Sequence, residues 1–149
     1  MVIVETAIIM GPESASLAGF SACLSRYWPV ESVTGRDGIV VTDGKSRVYL
    51  IHADHFGDTV RKDVQGVYCD PKLRHFYMST LRNQTATFFL MDYSDVRLAK
   101  EVLAAVADSE QMLVDNGFST VMLGKDLVNK LKSDPNWDWR DDFLHREKP

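Results

Sequence analysis

Apolar and polar positions along this chain alternate with two different periods, and the switch between them is clearest from Asp92 to Leu131. Ala99, Val102, Leu103 and Val106 recur at i, i+3, i+4 and i+7, which is one apolar stripe of a helix facing a core. Ser94 is the expected N-cap, because its hydroxyl can accept from a free backbone N–H of the first turn. Asp95 then places a carboxylate at the positive end of the helix dipole. Two apolar runs follow, Met112–Val114 and Val121–Leu123, and both predict strands. Asn116-Gly117 lies between them and offers the positive φ angles of a tight hairpin turn. Gly124 breaks the second strand. Leu127, Val128 and Leu131 then predict a last short helix, ended by Asp134-Pro135.

Upstream, Val2–Met10 reads as a strand rich in β-branched residues. Gly11-Pro12 opens a helix, since proline in the first turn sacrifices no hydrogen bond. Its inward stripe is Leu17, Phe20, Leu24 and Tyr27 or Trp28, its outer face is Ser14, Ser16, Ser21 and Ser25, and Pro29 stops it. Val30–Val33, Ile39–Thr42 and Arg47–His52 are strands separated by the turn signals Asp37-Gly38 and Asp43-Gly44. Val60, Val64 and Val67 have helical spacing within Ala53–Leu73, and Asp70-Pro71 ends that segment. His75–Leu81 and Thr85–Met91 are strands joined around Arg82-Asn83-Gln84. Met10, Met78, Met91 and Met112 suit irregular core gaps. Trp137 and Trp139 predict that the tail docks on the domain. Strands joined by short turns pair antiparallel. The expectation is a single α+β domain over residues 1–149, a mostly antiparallel sheet of about five to seven strands covered by three or four helices.

Composition narrows the class. The chain has 149 residues, 45% hydrophobic and 26% charged, as in ordinary globular proteins long enough to bury a core. The apolar run at the start lacks a basic flank, contains Glu5 and is too short to span a bilayer, so it predicts a strand and no membrane segment. Cys23 and Cys69 fit no CxxC pattern, and reduced thiols in a cytoplasmic protein are the expectation. Charge is concentrated: 17 basic residues face 21 acidic ones, a net of −4. Residues 92 to 116 alone carry Asp92, Asp95, Glu101, Asp108, Glu110 and Asp115 against Arg97 and Lys100. Such a patch repels phosphates, which disfavours nucleic acid, and suits a basic protein partner. The plainer account is the solvated face of an amphipathic helix.

Candidate chemistry is sparse. His52-Ala53-Asp54-His55 offers two imidazoles and a carboxylate at a strand end, with His75 or Asp92 to complete a tetrahedral zinc site. That spacing is not an established zinc pattern, and a polar loop explains it equally. Asp92 and Asp95 could pair as acid and base, but capping accounts for acids at a helix start. Asp115 reads as a turn residue. Cys69 near His75 lacks the third residue that would orient a nucleophile and its base. There is no GxGxxG and no P-loop. No catalytic residue, metal site or cofactor is assigned.

The segment FFLMDYSDVRLAKEVLAAVADSEQMLVDNGFSTVMLGKDLVNKL, followed by DPNWDWR, runs strand, DxSD turn, helix, strand, DN turn, strand, GxDLV helix. In layout it resembles small single-domain immunity-like proteins of proteobacteria that accompany secreted polymorphic or contact-dependent toxins. The resemblance covers about a third of the chain and implies a cytoplasmic, non-enzymatic protein that neutralises a toxin by binding it; such families use many unrelated folds. On that reading the partner surface is Asp92, Asp95, Glu101, Asp108, Glu110 and Asp115, with Tyr93 and Phe118 as aromatic anchors. Two alternatives stand beside it: a metal-dependent hydrolase using His52, Asp54 and His55, and a structural protein that self-associates as a homodimer through a sheet edge.

Overall fold

The computed structural model describes residues 4–35, 37–53, 87–109, 111–116 and 121–137. In chain order these form β1 (Glu5–Gly11), α1 (Leu17–Leu24), β2 (Val30–Ser32), β3 (Gly38–Thr42), β4 (Arg47–His52), β5 (Thr87–Tyr93), α2 (Val96–Val106), β6 (Leu113–Asp115), β7 (Val121–Leu123) and α3 (Gly124–Ser133). The strands make one sheet in the order β2-β3-β4-β5-β1-β6-β7, and every neighbouring pair is antiparallel. The fold is α+β, as the strand and helix periods predict.

Strand alternation divides the side chains between two faces. Ala7 and Ile9 of β1, Val41 of β3, Val48 and Leu50 of β4, Phe89 and Met91 of β5 and Val114 of β6 form the core with the helices. Phe20 of α1 meets Phe89 with ring centroids 4.7 Å apart and tilted by 59°, a favoured aromatic geometry. The α2 stripe is buried as its spacing predicts: Ala99, Val102 and Leu103 are fully enclosed and Leu98 joins them. Leu127 and Val128 bury α3, and Trp137 packs into the same core, with the Lys130 ammonium 5.6 Å from its ring centre. Met10, Met91 and Met112 are buried.

The opposite face is also buried where it crosses the middle of the sheet, at Ile8, Met10, Phe88 and Leu113. It opens toward β4, where Arg47 is exposed and Tyr49 and Ile51 are only partly covered. That difference along one face creates the concavity described below.

Several local expectations need correction. Asp95, not Ser94, is the N-cap of α2: its carboxylate accepts from the Arg97 N–H at 2.9 Å, in extended backbone at φ −111° and ψ 108°. A carboxylate caps as well as a hydroxyl, so the helix begins one residue later. α1 begins at Leu17, where Ser16 accepts from the Gly19 N–H at 3.0 Å. Pro12 instead sits in the preceding turn, its carbonyl accepting from the Ala15 N–H. The same helix ends at Leu24, before Pro29, and leaves Tyr27 66% exposed. β6 and β7 pair antiparallel with Asp115 opposite Val121, and the expected turn at Asn116-Gly117 falls on residues of which Gly117 lies outside those described. Asp115 is the last residue of β6, not a turn residue.

The Asp43-Gly44 signal is realised: Asp43 Oδ1 accepts from the Lys45 N–H at 2.9 Å and the Ser46 N–H at 2.8 Å, and Gly44 has φ 92°. The helix predicted around Val60–Val67, the strand His75–Leu81, and Cys69, Met78, Gly117 and Trp139 lie outside the described residues. Among the described residues no helix is long and apolar enough to cross a membrane.

Candidate binding cleft

The strand registers place a polar row across the sheet on the face away from the helices. Thr6 pairs with Asp92, Asp92 with Tyr49, and Tyr49 with Val40. Residues directly opposite on antiparallel strands share a face and touch. Arg47 lies two residues from Tyr49 on β4, hence on the same face and diagonal to Asp92. On the other side of Tyr49, Ile51 pairs with Gly38. Gly38 has no side chain, and Val33 beyond it donates its N–H to the Gly38 carbonyl at 2.9 Å. The result is a cleft of about 730 Å³ whose wall and floor include Val33, Arg47, Tyr49, Ile51 and Asp92, with Val4 at its rim. Val4 is 62% exposed. The volume falls within the range of small-ligand sites.

The polar groups of the cleft are largely uncommitted. Thr6 donates to Asp92 Oδ1 at 2.7 Å, which leaves Oδ2 with no hydrogen bond to a described residue. Neither the Arg47 guanidinium nor the Tyr49 hydroxyl has a hydrogen bond or ion pair with any described residue. Three groups of different chemistry, a cation, a phenol and a carboxylate oxygen, therefore face one apolar-walled space.

No family model, curated protein or solved structure matches this chain.

The residues singled out from sequence are dispersed by the fold. Tyr93 is 1% exposed, with its ring in the core, so it is no surface anchor. Asp115 is also 1% exposed and cannot contribute to an acidic surface. The two are buried on different faces: Tyr93 turns toward the helices, whereas Asp115, paired with Ile8, lies on the opposite face where the middle of the sheet is covered, and neither neighbour is visible in the strand's own sequence. Asp95 is committed to capping α2 and also accepts from Ser46 Oγ at 3.2 Å. Glu101 is exposed but paired with Arg97 at 3.3 Å, one helical turn away. Asp108 is exposed. Of the residues in this group that are described, Asp92 and Tyr93 border the cleft, Asp92 through its side chain on the cleft face of β5 and Tyr93 while its own ring is buried in the core. Glu110 and Phe118 lie outside the described residues.

Arg97 is the hub of the acidic segment. Its guanidinium lies 2.9 Å from Asp43 Oδ2, 3.6 Å from Asp95 Oδ2 and 3.3 Å from Glu101 Oε1. The carboxylates raise its affinity for its proton, chiefly through the hydrogen bond with Asp43. Asp43 is pulled down to about 2, first by the Ser46 and Lys45 N–H donors and then by Arg97. This cluster ties the β3–β4 turn to the start of α2. Three carboxylates share one guanidinium, so the cluster keeps a net negative charge, but Asp95 and Asp43 are held by capping and turn N–H groups and are not free to engage a partner.

Of the predicted metal cluster, Asp54 and His55 lie outside the described residues. His52 faces the core side of the sheet, with its ring against the edge of Phe89 at 5.6 Å and Nδ1 3.6 Å from Asp37 Oδ2. Asp92 is on the opposite face and cannot join it. Among the described residues no group of three His, Cys, Asp or Glu side chains is placed to hold a metal ion. The Cys23 thiol donates to the Ala105 carbonyl at 3.2 Å, which joins α1 to α2.

Sequence reasoning passed over Arg47, Tyr49 and Val33. The signal was there in part: in Arg47-Val48-Tyr49-Leu50-Ile51 the core takes the second and fourth residues. The others, an arginine, a tyrosine and an isoleucine, are left on the far face.

Proposed function

We propose that this protein acts by binding rather than by catalysis, and that the cleft over β4 and β5 is its binding centre. The observation that carries this reading is the convergence of Arg47, Tyr49 and Asp92 Oδ2 on one partly apolar space, each with hydrogen-bonding capacity unused by the described fold. An uncommitted donor or acceptor beside apolar surface is what fixes the orientation of an incoming group. The segment resemblance supports a protein partner, of the toxin class that immunity-like proteins neutralise. The charge basis of the reading shifts accordingly, from a broad acidic surface on α2 to a mixed-charge cleft on the sheet.

The test starts with what copurifies with the full chain from its own host, and with whether a neighbouring gene encodes a toxin that the protein counteracts. The variants Arg47→Ala and Tyr49→Ala should weaken that association at least tenfold while leaving the thermal transition nearly unchanged, because both side chains border solvent. A specific partner whose binding ignores both variants would move the binding centre elsewhere.

A further inference from the structure

We infer that the cleft captures the carboxyl-terminal residue of a partner polypeptide, one with an apolar side chain. This rests on the cleft being the binding centre and adds the chemistry of what enters it. Arg47 supplies a planar, permanently charged fork with no ion-pair partner among the described residues, and a guanidinium matches a carboxylate in a two-point hydrogen bond better than any other side chain. Asp92 Oδ2 is a charged acceptor, and its partner oxygen is anchored by Thr6 at 2.7 Å, which holds the carboxylate in a set orientation.

Arg47 and Asp92 occupy diagonal positions on neighbouring strands, about 7–8 Å apart at the backbone, yet they form no ion pair with each other. A terminal residue fits this arrangement, because it carries a carboxylate for the guanidinium and, one carbon away, an N–H donor for Asp92. Tyr49, Ile51 and Val33 supply the apolar wall for its side chain. A volume of about 730 Å³ exceeds what one residue fills. This favours a chain end, whose preceding residues run out along Val4 at the rim, over a free N-acyl amino acid.

The opposing charges also exclude alternatives. A simple anion would face Asp92 as well as Arg47, and a simple cation would face the reverse. A group bearing both a carboxylate and a donor satisfies the two together.

The experiment uses the full-length protein and three probes: N-acetyl-Ala-Ala-Phe with a free carboxylate, the same tripeptide as its carboxamide, and N-acetyl-Phe. Binding is followed by amide chemical shifts in heteronuclear NMR. The free acid should bind saturably, with shifts centred on the Tyr49, Ile51 and Asp92 amides, and the carboxamide should bind at least tenfold more weakly. Arg47→Met, which keeps the length of the stem, should weaken the acid to the level of the amide and leave the amide unchanged. Asp92→Asn should weaken both forms, since it acts on the N–H they share. Equal binding of acid and amide to the native protein would overturn the inference. Equal binding of N-acetyl-Phe and the tripeptide acid would overturn the assignment to a chain end.

The two proposals fail separately. If partner binding depends on Tyr49 but acid and amide are not distinguished, the terminal-carboxylate chemistry is wrong and the cleft remains the binding centre. If the peptide acid binds as described while the native partner ignores the cleft variants, the binding-centre reading falls.

Discussion

Gly124→Ala sets two effects of opposite sign against each other at the joint between β7 and α3. Replacing glycine with alanine at a compatible helical position stabilises by about 0.5–1 kcal/mol, through helix propensity and a less flexible unfolded chain. At Gly124, however, a Cβ would overlap the carbonyl oxygen of Ala107 and lie 3.1 Å from Met112 Cβ. The first obstacle is backbone. It belongs to the C-cap of α2, where the Ala107 N–H is held by the Leu103 carbonyl at 2.8 Å. Gly124 is itself fixed by its N–H bond to the Met112 carbonyl at 2.8 Å. Neither side can yield without pulling α3 off α2 or breaking that bond.

Overpacking against movable side chains costs about 1–3 kcal/mol, and a backbone obstacle belongs at the top of that range. Less the propensity gain, the net expectation is a loss of about 2–2.5 kcal/mol. In a domain of this size that lowers Tm by roughly 2–4 °C per kcal/mol. Urea denaturation should show a lower midpoint with an unchanged slope, because the exposed surface on unfolding is the same. Gly19→Ala is the control: on the exposed side of α1 the added carbon meets only Ser16 Oγ, at 3.3 Å, and the change should be neutral or stabilising by up to about 1 kcal/mol. A Gly124→Ala protein as stable as the native one, or more so, would show that the approach of α3 to the end of α2 is looser than described and refute the steric argument.

Three further outcomes test other parts of the structure. Val102→Asp puts a charge at a fully enclosed position of α2; it should cost several kcal/mol or abolish the cooperative transition, and near-native stability by calorimetry would mean the buried face of α2 is wrongly identified. Asp43 has its proton affinity lowered in the folded state, from 3.8 to about 2. Its contribution is therefore complete above pH 4 and lost as the pH falls from about 3.8 toward 2. Asp43→Asn should flatten the stability profile over that window, and an unchanged acid slope would contradict the assignment. Reversing Glu101 and Asp108 to Lys should alter stability by no more than about 1 kcal/mol each, both being exposed. If the cleft is the binding centre, partner affinity should also persist, and a sharp loss would return the interface to α2.

Helix α2 shows how far local pattern reaches. Ala99, Val102, Leu103 and Val106 are spaced for one face of a helix, and that face is the one buried, because period 3.6 leaves a single solution. The strands were legible for the same reason: Val48 and Leu50 alternate with Arg47 and Tyr49, and the turn at Asp43-Gly44 carries its own hydrogen-bonding chemistry. Helix starts were read less well. Ser94 and Asp95 are both good caps, and Ser16 was hidden behind the proline signal at Pro12. Which acceptor meets the free N–H groups depends on where packing begins the first turn.

The cleft belongs to a different level of information. Thr6, Tyr49 and Asp92 are scattered along the chain, and only the order β4-β5-β1 sets them side by side. That order is a non-local choice, made by which strands bury the most apolar surface together. The same choice buried Tyr93 against the helices and Asp115 on the other face of the sheet, although their neighbours in sequence mark an acidic, solvent-facing segment. Periodicity along one strand says that its residues alternate between faces, but not which face meets the helices. By itself, then, the sequence determined the strands and helices among the described residues, to within a few residues at their ends, and the α+β class, because those follow from contacts between residues close in the chain. The tertiary structure decided which polar groups share a space and which are consumed by capping and ion pairing, because those depend on pairings between residues as far apart as Thr6 and Asp92.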